Sequence, residues 1–128
     1  MAPMISASDV LQIISEVHQY SMILIELKDA TTIGISHWSN GKLTYFAVNR
    51  ALGTSERSEL VKEVYSGRGP TSMNPLSMEQ FLMAVEGKKP RHIWLETGGG
   101  ERNELGFVSI AELKAHLRIH SKRQHEGT

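Results

Sequence analysis

Apolar and polar positions along the chain repeat with two periods, one near 3.6 and one of 2, and their order predicts the elements. Val10, Ile13, Ile14 and Val17 recur at helical spacing just after Ser6-Ala7-Ser8-Asp9. A first helix is therefore expected, capped by Ser6 or Ser8 and ending near Tyr20. Residues 22 to 28 switch to the strand period: Ile23, Ile25 and Leu27 share one face, while Glu26 and Lys28 point the other way. Asp29-Ala30 is a short break. Residues 31 to 38 are expected as a second strand, with Ile33, Ile35 and His37 on one face. Asn40-Gly41 is the clearest local signal, because a two-residue hairpin turn needs φ > 0 at both positions and this pair tolerates it. It folds the second strand onto a third, residues 43 to 48.

A second helix is expected from Thr54 or Ser55, with Glu56 and Glu59 near its start and Leu60, Val61, Val64 and Tyr65 presented for packing. Residues 67 to 75 read as a loop from their Gly, Pro, Ser and Asn content. Ser77 with Gln80 forms a capping box, flanked by a Leu76–Phe81 staple, and Gly87 with Pro90 ends that third helix. Residues 91 to 96 and 104 to 108 are a fourth and fifth strand, joined through the glycine-rich stretch between them as a second hairpin. Ser109 with Glu112 opens a last helix over 110 to 121, with Val108–Leu113 as staple and Ile110, Leu113 and Leu117 facing the core. The expected fold is α+β: a three-stranded antiparallel meander plus a second hairpin, packed with about four helices in the order α-β-β-β-α-α-β-β-α. The first helix is expected on one face of the meander.

Composition narrows the class. At 128 residues the chain fits one domain, residues 1 to 128, and 40% hydrophobic with 22% charged residues is ordinary for a globular protein. Apolar runs such as residues 22 to 25 are far short of a membrane span, and the first residues lack the basic and apolar segments of a signal peptide. Cysteine is absent, which excludes disulfides and thiolate metal sites. A cytoplasmic protein without membrane association is the expectation. Fourteen basic and 14 acidic residues cancel, so no global field attracts nucleic acid. The balance shifts near the end, where Lys114, Arg118, Lys122 and Arg123 occur with no acid among them. These four are the candidate contacts for a nucleic-acid-binding alternative.

The stretch from Phe107 to Ser121 has the hydrophobic and histidine spacing of half a two-Cys, two-His zinc finger. It has no thiolate partner, and capping chemistry accounts for its residues without a ligand. His116 and His120 form an i, i+4 pair, but Leu117 stands where a zinc hydrolase carries its glutamate, so no metal site is assigned. Gly98-Gly99-Gly100 lacks both the spacing of a dinucleotide fingerprint and the Lys-Ser or Lys-Thr of a phosphate loop. No cofactor is expected and no catalytic motif is recognisable. Contact with a protein partner is expected instead at Arg68 between two glycines, at Glu101 and Arg102 in the hairpin loop, and at His92 and Trp94. The last two alternate onto one face of their strand, where they serve a partner if that face is open and the core if it is covered.

Asp9-Val10-Leu11-Gln12-Ile13-Ile14 in the first helix, Asn40-Gly41-Lys42-Leu43 with Ala47 in the hairpin, and a short helix between Gly53 and Gly67 form a further pattern. In these features residues 6 to 67 resemble a bacterial signalling module, the PATAN domain. The chain has Ser21-Met22 at the entry to the first strand, where such domains usually carry Thr-Gly or Ser-Gly. The resemblance implies a non-enzymatic interaction module with no catalytic residues. A small regulatory domain that binds a protein partner is thus the leading functional expectation. Self-association through an exposed edge of the meander is a further one.

Overall fold

The computed structural model describes residues 4–16, 22–37, 42–65, 74–97 and 103–116. Its elements in chain order are α1 (Ala7–Glu16), β1 (Met22–Leu27), β2 (Thr32–His37), β3 (Leu43–Val48), α2 (Thr54–Tyr65), β4 (Asn74–Leu76), α3 (Met78–Val85), β5 (Pro90–Thr97) and β6 (Asn103–Phe107). A further helical segment, α4, covers residues 110–116. The architecture is α+β, as the periodicities predict, with one short strand more than they indicate. All six strands form one sheet in the order β4-β3-β2-β1-β5-β6, and every pairing is antiparallel. The meander and the second hairpin are therefore continuous, because β5 pairs along β1.

Local chemistry sets the element starts. In α1 the Asp9 amide donates to Ser6 Oγ at 3.2 Å and the Ser6 amide donates to Asp9 Oδ2 at 3.1 Å, a reciprocal cap. Ser77 and Gln80 do the same for α3, at 3.1 and 2.9 Å. For α4 the Glu112 amide donates to Ser109 Oγ at 3.2 Å, but the Glu112 carboxylate accepts from Val108 N–H, one residue further back than a box requires. At the ends of the expected Val108–Leu113 staple, Val108 is 55% exposed while Leu113 is fully buried. Strand alternation puts Phe107, not Val108, on the core side, and its ring lies 5.4 Å from that of His116.

The β1–β2 connection is a three-residue hairpin, with the Leu27 amide bonded to Thr31 O at 2.8 Å and the Ala30 amide to Leu27 O at 3.0 Å. Its last residue takes the left-handed conformation that glycine favours, and here it is Ala30 at φ 70°. The Asn40-Gly41 turn lies outside the described residues. Beside it, His37 pairs opposite Leu43.

Both faces of the sheet are covered, which the alternation in β1 does not suggest. On one face Ile23, Ile25, Ile33, Ile35, Ile93 and Leu95 meet Val10 and Ile13 of α1, Phe81 and Val85 of α3, and Ile110 and Leu113 of α4. On the other, Met22, Leu24 and Phe46 pack against Leu52 and against Leu60 and Val61 of α2. Gly34 makes this second layer possible: a Cβ there would overlap the Phe46 ring and press on Leu24. Residues 74 and 75, expected as the end of a loop, join Leu76 in pairing with β3 from Ala47 to Tyr45, so Leu76 sits opposite Tyr45. Both edges of the meander are consequently occupied, by β4 and by β5. Among the described residues no helix is long and apolar enough to cross a membrane.

Candidate functional site

The face that carries α2 is apolar where Met22, Leu24 and Phe46 lie under that helix, and carries Glu26, His92, Glu96 and Glu104 toward β5 and β6. Strand register explains which side chains meet there. Glu26 stands opposite His92, Leu24 opposite Trp94, Trp94 opposite Gly106, and Glu96 opposite Glu104, all on the same face. Between Glu26 and Leu27 the register shifts, so that Leu27 faces Pro90 and Arg91 becomes the extra residue of β5. Such a bulge bends the strand and re-aims the side chain it inserts. Arg91 and His92, neighbours that a regular strand sends to opposite faces, both reach Glu26. The Arg91 Nε is 3.7 Å and the His92 Nδ1 3.4 Å from Glu26 Oε2.

Burial divides the cluster into a held part and an offered part. The Glu26 side chain is only 7% exposed, whereas His92 is 48% and Arg91 60% exposed. A sunken carboxylate thus holds two solvent-facing donors. The His92 ring lies 5.4 Å from the Trp94 ring at an interplanar angle of 33°, so the two form one half-open aromatic surface.

On the other side of Trp94 sits Arg57 of α2, buried at 7% exposure. Its guanidinium carbon is 4.1 Å from the Trp94 ring centroid, a cation–π contact. Its Nε and Nη2 donate to the two carboxylate oxygens of Glu104 at 2.8 and 3.0 Å, and its Nη1 donates to Leu52 O at 2.8 Å. The planar fork thereby locks α2 to β6 and fixes the plane of Trp94. Nearby, Arg50 pairs with Glu56, whose other oxygen accepts from Gly53 N–H at the start of α2.

Of the residues singled out from sequence, His92 and Trp94 come together here, on a face that is open at His92 and partly covered by Arg57 at Trp94. Lys114 does not join them. It extends from α4 on the opposite layer and donates to Asp9 Oδ1 at 2.8 Å, tying α4 to α1. Burial pushes the Asp9 carboxyl up, but hydrogen bonds from Lys114 and from Ser6, with the Lys114 charge, outweigh it and hold Asp9 below its ordinary value. Arg68, Glu101, Arg102, Arg118, Lys122 and Arg123 lie outside the described residues, as does His120.

Sequence reasoning missed Glu26, Arg57, Arg91 and Glu104. Two signals were present: Arg57 falls on the helical stripe of Leu60 and Val61, and Glu26 interrupts the apolar run Met22-Ile23-Leu24-Ile25. Among the described residues no group of three or more His, Cys, Asp or Glu side chains converges to hold a metal ion. A hollow of about 320 Å³ at the end of β1 is lined by Met4, Leu27, Asp29 and three lysines, Lys28, Lys88 and Lys89. It is separate from the His92–Trp94 surface. Comparison of the chain with protein-family models, with curated proteins and with solved structures finds no match.

Proposed function

We propose that this chain is a regulatory module that acts by binding a protein partner, and that the surface of Arg91, His92 and Trp94 makes the contact. The observation that carries the reading is the bulge at Arg91. It gathers a cation, an imidazole and an indole on one side of a strand, over a buried carboxylate that orients them. Trp and Arg dominate the energetics of protein interfaces, because a rigid ring or a planar fork desolvates at little entropic cost. Here the Trp94 ring is backed by buried Arg57 and His92 is hydrogen-bonded to buried Glu26, so part of the freedom that docking costs is already lost. The order helix, three strands, helix over residues 7 to 65 agrees with the PATAN resemblance, which supports an interaction role in signalling.

Affinity capture from the native host tests this with matched baits: the wild-type chain, His92→Ala and Trp94→Leu. Partners retained by the wild type and lost by both variants, with circular dichroism unchanged, support the reading. An identical partner set for all three baits rejects it. The nucleic-acid alternative is weakened by Lys114, whose charge is already matched by Asp9.

A further inference from the structure

We infer that the outer edge of β6 pairs with the same edge of a second copy, giving a two-fold dimer with one continuous sheet. The two ends of this sheet differ. At one end β4 has three residues and includes Pro75, which has no N–H to offer, a common way of closing an edge. At the other end β6 runs for five residues, Asn-Glu-Leu-Gly-Phe, without proline, lysine or arginine. Nothing among the described residues pairs with its outer side. Gly106 is exposed in the middle of this strand, and Val108 just beyond it is 55% exposed.

The residues of β6 also favour the register that pairs the whole strand. Two identical edges that join in antiparallel fashion about a two-fold axis normal to the sheet must centre on a residue. Centring on Glu104 places that carboxylate against its own copy, with like charges directly opposite. Centring on Leu105 pairs all five residues of each strand: Leu105 with Leu105 on the layer of α1 and α4, Asn103 with Phe107, and Glu104 with Gly106 on the layer of α2. Gly106 then leaves room for the Glu104 carboxylate of the other copy, which stays held by its own Arg57. The Gly106 backbone itself does not demand glycine. A Cβ there meets only the Trp94 ring, at 3.9 Å, and its φ lies outside the left-handed region. The absent side chain fits the paired state better than any need of the single chain.

Five paired residues form a small interface, so the dimer dissociates readily and its population rises with concentration. The proposal is independent of what the His92–Trp94 surface binds. Sedimentation velocity of the full chain from micromolar to millimolar concentration tests it, together with Gly106→Glu and Gly106→Lys. Gly106→Glu sets a carboxylate against Glu104 on both sides of the axis and is expected to weaken the dimer about tenfold. Gly106→Lys sets an opposite charge there and is expected to dimerise at least as well as the wild type. A monomer at every concentration, or equal weakening by both substitutions, overturns the proposal. Should either variant fail to fold, Leu105→Cys decides: the chain has no cysteine of its own, so oxidation links two copies through this position alone. Covalent dimer then supports the register, and its absence overturns it.

Discussion

Replacing Arg57 with alanine tests how the candidate surface is held. The substitution removes two charge-assisted hydrogen bonds to Glu104, one to Leu52 O and the cation–π contact with Trp94. Hydrogen bonds to charged groups contribute about 1.5–3 kcal/mol each, and breaking a buried ion pair costs about 3–5 kcal/mol, because the remaining charge is stranded. The Glu104 side chain keeps 19% exposure, so water recovers part of that loss. The expected destabilisation is about 3 kcal/mol, which lowers the melting temperature of a domain this size by roughly 10 °C. Urea denaturation of the wild type, Arg57→Ala, Glu104→Gln and the double variant forms a thermodynamic cycle. A coupling of about 1–3 kcal/mol is expected, with the double variant far less destabilised than the sum of the singles. Arg57→Lys keeps the charge but loses the fork, and should recover less than half of the loss. A cost below about 1 kcal/mol for Arg57→Ala, or a coupling near zero, refutes the view that this pair fixes α2 and Trp94 over the sheet.

Three further outcomes are expected. Ala30→Gly relieves a left-handed backbone worth about 1–2 kcal/mol but adds unfolded-state freedom, so a net gain of about 0.5 kcal/mol should appear as a raised denaturation midpoint. Gly34→Val drives side-chain atoms into the Phe46 ring and should cost about 3 kcal/mol or more, with partial rescue by Phe46→Leu in the same melting assay. Asp9 is held below its ordinary value, so its contribution is fully present above an unfolded-state pKa of about 4 and is lost as pH falls through the lower folded value. Stability measured against pH should therefore fall less steeply through that acid range in Asp9→Asn than in the wild type.

The helices and strands were legible where period and capping agreed. Ser6 with Asp9 and Ser77 with Gln80 announce their helices through side chains that answer backbone donors, and both caps form. β4 was not legible, because three residues with a proline carry the composition of a loop and become a strand only through β3. The second covered face was half visible. Met22-Ile23-Leu24-Ile25 is apolar without alternation, as a strand buried on both sides should be, yet Glu26 and Lys28 suggest an open face. Glu26 is instead buried beneath Arg91 and His92. Period two placed His92 and Trp94 together correctly. It could not place Arg91, because one inserted residue reverses the alternation. Arg57 was hidden for a different reason: a cation on an amphipathic helix reads as solvated until the carboxylate it meets, 47 positions away, is known.

Contact of a partner with the surface around His92 and Trp94 is read from backbone amide chemical shifts of the isotope-labelled chain, titrated with a captured and purified partner. Shifts are expected to concentrate on β5 at Arg91, His92 and Trp94 and on the facing part of α2 at Arg57, and His92→Ala is expected to weaken binding by about tenfold or more. Shifts confined to the α1, α3 and α4 layer, with affinity unchanged in His92→Ala, would contradict it.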